Sequence, residues 1–157
     1  MTVTTSPLPP FSVLHDRFQP GDFVDCFRVR SDMPLREAAE IITDFPGWAK
    51  MLVALRNVIV LPFGLTGALP EDFAGQDRIG MFPVESETAR EIIAGFNDKH
   101  LDFRVSVMRD GEDILLATWV HRNNLVGRAY LAAIMPFHIA IARDALRRVA
   151  STGQMAA

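Results

Sequence analysis

Three side chains have the types and spacing to hold a metal. His100 and Asp102 form an H-x-D pair, and a distant His121 completes the ligand set of a non-haem iron facial triad. Asp110-Gly111 suits the two central positions of a type I′ hairpin turn, which puts Arg109 opposite Glu112. The register that follows places His100 directly across from His121, with Asp102 two positions along on the same face. Directly opposed Cβ atoms lie about 4.5–5.5 Å apart, close enough for shared coordination. On an outer face the same residues would simply meet water, with Asp102 pairing with Arg104 or orienting a histidine. That plainer reading is adopted, and neither a metal nor a cofactor is expected. Trp119 shares the face with His100, Asp102, Arg104 and His121. Trp and Arg are enriched where partners dock, so an exposed tryptophan here makes this a candidate interaction face for a second copy or another protein.

A second set of residues could anchor a small molecule. Arg56 follows an apolar helix face; Asn123, Asn124, Arg128 and Tyr130 fall where the last strand meets the final helix; His138 sits beside Pro136, where freed backbone groups need partners. Phe63, Leu65, Phe103, Leu131 and Phe137 would supply the apolar wall. Each polar residue also has a structural use: an Asn at a helix start caps it, Arg128 can bond carbonyls or carboxylates, and Tyr130 can sit in the core with its hydroxyl satisfied. His138 or His100 could act as general acid or base for a cyclisation or hydrolysis, since histidine carries protons near neutral pH. Nucleophilic catalysis has little behind it, because there is no G-x-S-x-G and Ser106 near His121 lacks an orienting group. Phosphate-binding glycine patterns are absent too. Cys26 lies in an apolar run and reads as a small hydrophobe, and Glu85, Glu87 and Glu91 read as a solvated edge.

These residues are carried by a definite order of elements. Residues 1–20 hold four of the ten prolines and read as an extended arm or cover. Asp22–Arg30 alternates like a strand, with Phe23, Asp25, Phe27 and Val29 on one side. A helix follows Pro34, with Leu35, Ala38, Ala39 and Ile42 on one face, and a second runs from about Trp48 to Val58. Phe63–Gln76 has no steady period and three glycines, which predicts a long loop of the kind that rims pockets. Strands follow near Ile79–Val84, Ala89–Phe96, His100–Met108 and Asp113–Arg122. Asn124–Ser151 then reads as a helix broken or kinked at Pro136. Ile139, Ala142, Leu146, Val149 and Ala150 form its apolar stripe, with Arg143, Asp144, Arg147 and Arg148 on the wet side.

This order predicts an α+β fold of helix-grip type: a curved antiparallel sheet wrapped around a long C-terminal helix, with two short helices after the first strand. The expected organisation is an arm over residues 1–20, a single domain over 21–151 and a disordered tail over 152–157. The segments L-R-N (Leu55–Asn57), F-G-L (Phe63–Leu65), G-F-N-D-K-H-L-D-F-R (Gly95–Arg104), N-N-L-V-G-R-A-Y-L (Asn123–Leu131) and P-F-H (Pro136–His138) resemble the domain-of-unknown-function 2867 family, from about Asp22 to Val149. The resemblance implies a START-like fold. Proteins of that kind commonly hold apolar or amphipathic small molecules, and some run cyclase, aromatase or hydrolase chemistry in the same pocket. The family has no established reaction, so it supplies no catalytic residues. Similar domains are attached to short-chain-dehydrogenase-like domains, so the resemblance also implies an alternative, an accessory module whose partner is an oxidoreductase.

Composition bounds the rest. At 157 residues, 49% hydrophobic and 22% charged, the chain is an ordinary globular domain that can build a core without metal or disulfide staples. Sixteen basic and nineteen acidic residues leave a net charge of -3, which offers nucleic acid no electrostatic footprint. Cys26 is the single cysteine, and the first residues carry no secretory pattern, so a cytoplasmic setting is the expectation. The charge-free stretch Ala129–Ala142 is shorter than the roughly 18–20 residues that span a bilayer, so no membrane span is expected.

Overall fold

The computed structural model describes residues 1–51, 54, 61–63 and 75–156. Within them the elements run β1 (Thr4–Thr5), a 3-10 turn (Val13–Arg17), β2 (Phe23–Arg30), α1 (Leu35–Thr43), a second 3-10 turn (Leu61–Phe63), β3 (Arg78–Ile79), β4 (Phe82–Glu87), β5 (Glu91–Asn97), β6 (Leu101–Asp110), β7 (Asp113–Arg122) and α2 (Leu125–Ala156). The strands form one curved antiparallel sheet in the order β1-β2-β7-β6-β5-β4-β3. The long helix lies on its inner face, the helix-grip-like α+β arrangement that the element order predicts. Residues 48–51 are helical where the second short helix is expected, and most of that helix and of the long loop lie outside the described residues.

The central hairpin differs from the expected register by two residues. Asp110 pairs with Asp113, so the turn residues are Gly111 and Glu112. Gly111 has φ +61° and, among the described residues, no non-glycine has a positive φ, which fits a type II′ turn with glycine first rather than a type I′ Asp-Gly. His121 therefore faces Asp102, and Trp119 faces Arg104; His100 and His121 are not opposite one another. A two-residue shift preserves which face each side chain occupies. Phe103, Val105, Val107, Ile114, Leu116, Thr118 and Val120 share the inner face, and the alternate residues the outer one.

At one end the inner face is solid. Val29, Ile92, Val107 and Ile114 meet Ala145, Leu146 and Val149 of α2 and Ala38 and Ala39 of α1, every one of them with at most 1% exposure. Truncating Leu146 to Ala there would cost about 2–5 kcal/mol. Arg148 of α2 donates to the carbonyls of Ile41 (2.9 Å) and Asp44 (2.7 Å), satisfying the open C-terminus of α1. At its own start α2 is capped by Asn124 Oδ1, which accepts from the Gly127 N–H (3.0 Å). Gly127 is required there, because a Cβ would lie 2.1 Å from the His100 carbonyl oxygen.

α2 runs unbroken through Pro136, which removes one helical N–H without ending the helix. It also takes in residues 152–156, where a disordered tail is expected; Gly153 seats the last turns against Ser31 and Asp32. Leu125–Gly153 is long and apolar enough to cross a membrane by length and composition, with mean hydropathy 1.6, because an 18-residue window tolerates the flanking charges that the stretch Ala129–Ala142 leaves out. Only 17% of that window is buried, and Leu125, Phe137 and Ile139 are exposed.

The outer face is covered by the chain's own N-terminus. β1 pairs with β2, and Leu8, Phe11 and Leu14 pack on Cys26, Ile93, Met108, Leu115, Ala117 and Trp119. Arg90 stacks over the Phe11 ring at 3.7 Å. Glu91 fastens this cover. Its carboxylate is 4% exposed and accepts from Ser12 Oγ (2.6 Å), the Val13 N–H (3.0 Å) and Ser106 Oγ (2.6 Å), so it binds the start of the first 3-10 turn to the sheet. The solvated edge expected of Glu91 is thus a buried anchor.

Candidate functional site

Lateral rows of the sheet explain where its inner face dips. The register lines up Phe27, Leu116, Val107 and Ile92 in one row, and Phe23, Val120, Phe103 and Phe96 in another. Between them run Asp25, Thr118, Val105, Ala94 and Val84. The middle row is built of shorter side chains than its neighbours, so the floor is lowest there. Aromatic rings wall one side: Phe103 meets Phe96 and Phe82 edge-on at 4.9 and 5.5 Å.

Leu131 closes with Leu101 and Val120, and Ala142 onward closes over the solid end. Between those closed blocks Phe23, Asp25, Phe82, Val84, Phe103 and Val105 of the sheet, and Tyr130, Ile134, Met135, His138 and Ile141 of α2, are only half-buried. On both facing surfaces these side chains keep partial solvent contact, while Ala94 and Thr118 of the row beneath them are buried.

One polar pair stands in this belt. His138 Nε2 donates to Asp25 Oδ2 at 2.8 Å, and the imidazole meets the Phe23 ring edge-on at 6.1 Å. Among the described residues Asp25 Oδ1 is buried with no hydrogen-bond partner, and so is Arg143 Nε, whose guanidinium lies 5.3 Å from the Phe27 ring. An unsatisfied buried acceptor costs about 1–3 kcal/mol, and such groups in native structures call for a functional or structural reason. Residue type alone does not mark Asp25, yet its signal is visible: it is the acid in the otherwise apolar alternation Phe23, Asp25, Phe27, Val29. Thr118, its direct cross-strand neighbour, interrupts the partner strand's apolar series in the same way.

Tyr130, Leu131 and Phe103 join the cluster at the N-terminal half of α2, and Phe137 is 50% exposed on the flank of its inward stripe. Asn123 is exposed and donates to the Asp98 carbonyl (3.0 Å) and to Asp102 Oδ1 (3.1 Å), so it ties the turn before β6. Arg128 is exposed on α2. Arg56 and Leu65 lie outside the described residues, and Phe63 ends the second 3-10 turn.

The face carrying Trp119 is not an open surface. Trp119 is 4% exposed, lies beneath the arm with Arg17 at 5.9 Å from its ring, and donates from Nε1 to Asp22 Oδ2 at 2.8 Å. His121 donates to the other oxygen of Asp22. Burial opposes charge on Asp22, but the bonds from His121, the Gln19 N–H and Trp119 outweigh it and hold the carboxyl below its ordinary range. Arg104 is buried beside Glu85, which a bulge in β4 turns toward it and toward Arg17. Burial lowers the pKa of Arg104 against the pull of Asp102, and burial and Arg104 together lower that of Arg17. His100 is buried with Nδ1 3.0–3.1 Å from the Asn124 amide. Among the described residues no group of three His, Cys, Asp or Glu is placed to hold a metal ion.

Two open surface hollows lie elsewhere, one of about 260 Å³ beside Arg30, Ser31 and Glu112, the other of about 330 Å³ beside Thr43, Phe45 and Gly80. Comparison with curated proteins and with solved structures gives no match. A family model described as "Protein of unknown function (DUF2867)" matches residues 17–145, which takes in β2 to β7, α1 and most of α2 with the whole half-buried belt; the chain belongs to that family.

Proposed function

We propose that the protein binds an apolar or amphipathic small molecule between the inner face of the sheet and the middle of α2, as a START-like carrier in the cytoplasm. The observation that carries this reading is the low central row, Asp25-Thr118-Val105-Ala94-Val84, lying under helix residues that stay half-buried. A floor of phenylalanines and valines with a single polar pair matches the composition of small-molecule sites, which are mainly apolar with a few convergent polar groups. The test is native mass spectrometry of the purified chain, with binding of an anilinonaphthalene sulfonate dye as a second readout. Val105→Phe fills the floor and should cut dye affinity about tenfold or more, while Ile139→Ala on the exposed side of α2 should leave it unchanged. Equal affinity for both variants would overturn the reading.

The His138–Asp25 pair favours a second reading, catalysis in the same hollow. An imidazole oriented by a carboxylate is the arrangement of a general base. A molecule captured from cells and returned unaltered after prolonged incubation with the protein would leave binding alone.

A further inference from the structure

We infer that His138 is the hydrogen-bond acceptor of the hollow, so that the preferred guest is an apolar molecule bearing a neutral hydroxyl group. This rests on the binding reading above and adds the chemistry of the guest. A neutral imidazole has one N–H and one lone pair, and what the first nitrogen meets decides which is which. An ionised Asp25 can only accept, so its Oδ2, 2.8 Å from Nε2, fixes the proton on Nε2 and the lone pair on Nδ1. Nδ1 makes no hydrogen bond among the described residues and is not among the buried unpartnered atoms, and His138 keeps 22% of its side-chain surface exposed. It therefore presents an open acceptor at the centre of an otherwise apolar belt.

The charges around it set the discrimination. Asp25 Oδ1 is sealed from solvent without a partner among the described residues, so no second donor there offsets the carboxylate's charge. A guest carboxylate would meet that negative charge and the Nδ1 lone pair together, with Arg143 the cation nearest along the helix, its Nε buried over Phe27 rather than bonded. A hydroxyl instead donates to Nδ1 and places no charge in the hollow. An ether or methyl in its place leaves Nδ1 desolvated and unpaired, which is the more costly outcome.

The test uses the full chain and two probes of equal body, 2-naphthol and 2-methoxynaphthalene, with 2-naphthoate as the anionic arm. Wild type should bind the naphthol about tenfold more tightly than the methyl ether, the value of one buried hydrogen bond, and the naphthoate no better than the ether. His138→Phe keeps the ring volume and should erase the preference while still binding the ether. Asp25→Asn should narrow it, because an amide can donate to Nε2 and release the tautomer. Long-range ¹H–¹⁵N spectra of the free protein should report the Nε2–H tautomer at His138. Equal binding of naphthol and ether by wild type, or an unchanged preference in His138→Phe, overturns the inference while the hollow stands. Failure of all three probes to bind overturns the hollow itself and the inference with it.

Discussion

Replacing Glu91 should release the N-terminal cover. The carboxylate is 4% exposed and accepts three hydrogen bonds, from Ser12, Val13 and Ser106. Hydrogen bonds to a charged group contribute about 1.5–3 kcal/mol each, so three amount to roughly 4–9 kcal/mol before the cost of keeping a buried charge. Removing the carboxylate returns several kcal/mol of that desolvation, and the two serine hydroxyls can turn toward other acceptors. The Val13 N–H loses its partner outright. Glu91→Ala is therefore expected to destabilise the fold by about 2–4 kcal/mol, a large part of the ~5–15 kcal/mol that holds a typical domain. Glu91→Gln keeps the shape and one acceptor, and should lose about half as much. The assay is urea unfolding with the midpoint and slope fitted separately, joined to limited proteolysis within residues 1–20. Glu91→Ala should lower the midpoint and speed cleavage of the arm before the sheet unfolds. Loss of less than about 0.5 kcal/mol, the range of ordinary surface substitutions, would refute the anchor and return Glu91 to a solvated edge.

Further outcomes follow from the buried titratable groups. Because the Asp22 carboxyl is held below its ordinary range in the fold, its contribution is complete above about pH 4 and is lost as acid titrates it below that. Wild type and Asp22→Asn should thus converge in stability at low pH and separate above it; a constant difference across the range would contradict the pairing with His121 and Trp119. Burial, reinforced by the charge of Asp25, pushes the Cys26 thiol up to about 12. An aromatic disulfide reagent near neutral pH should leave it unmodified in the native state and label it fully in urea, and rapid native labelling would mean the arm does not seal the outer face.

Much of this architecture is legible from residue alternation. The inner and outer faces of β6 and β7 follow from period-two patterning and survive a register error, because the turn choice shifts pairing by two residues rather than one. The covered outer face is harder to read. Arg104, Ser106 and His121 look like a solvated or docking surface until their partners are known, and those partners, Glu85, Glu91 and Asp22, are remote in sequence or displaced by a bulge. The site was half visible. His138 stands out by type beside Pro136, but its partner Asp25 is 113 residues away, and the low row beneath them exists only once five strands are set side by side.

The sharpest measurement is a methyl-resolved NMR titration of the full chain with naphthalene as the guest. Signals from Val84, Val105, Ile134 and Met135 should shift together, while those of Val107, Ile114, Leu146 and Val149 stay fixed. Shifts confined to Leu125 and Ile139 on the outside of α2, or none anywhere, would contradict a hollow under the helix.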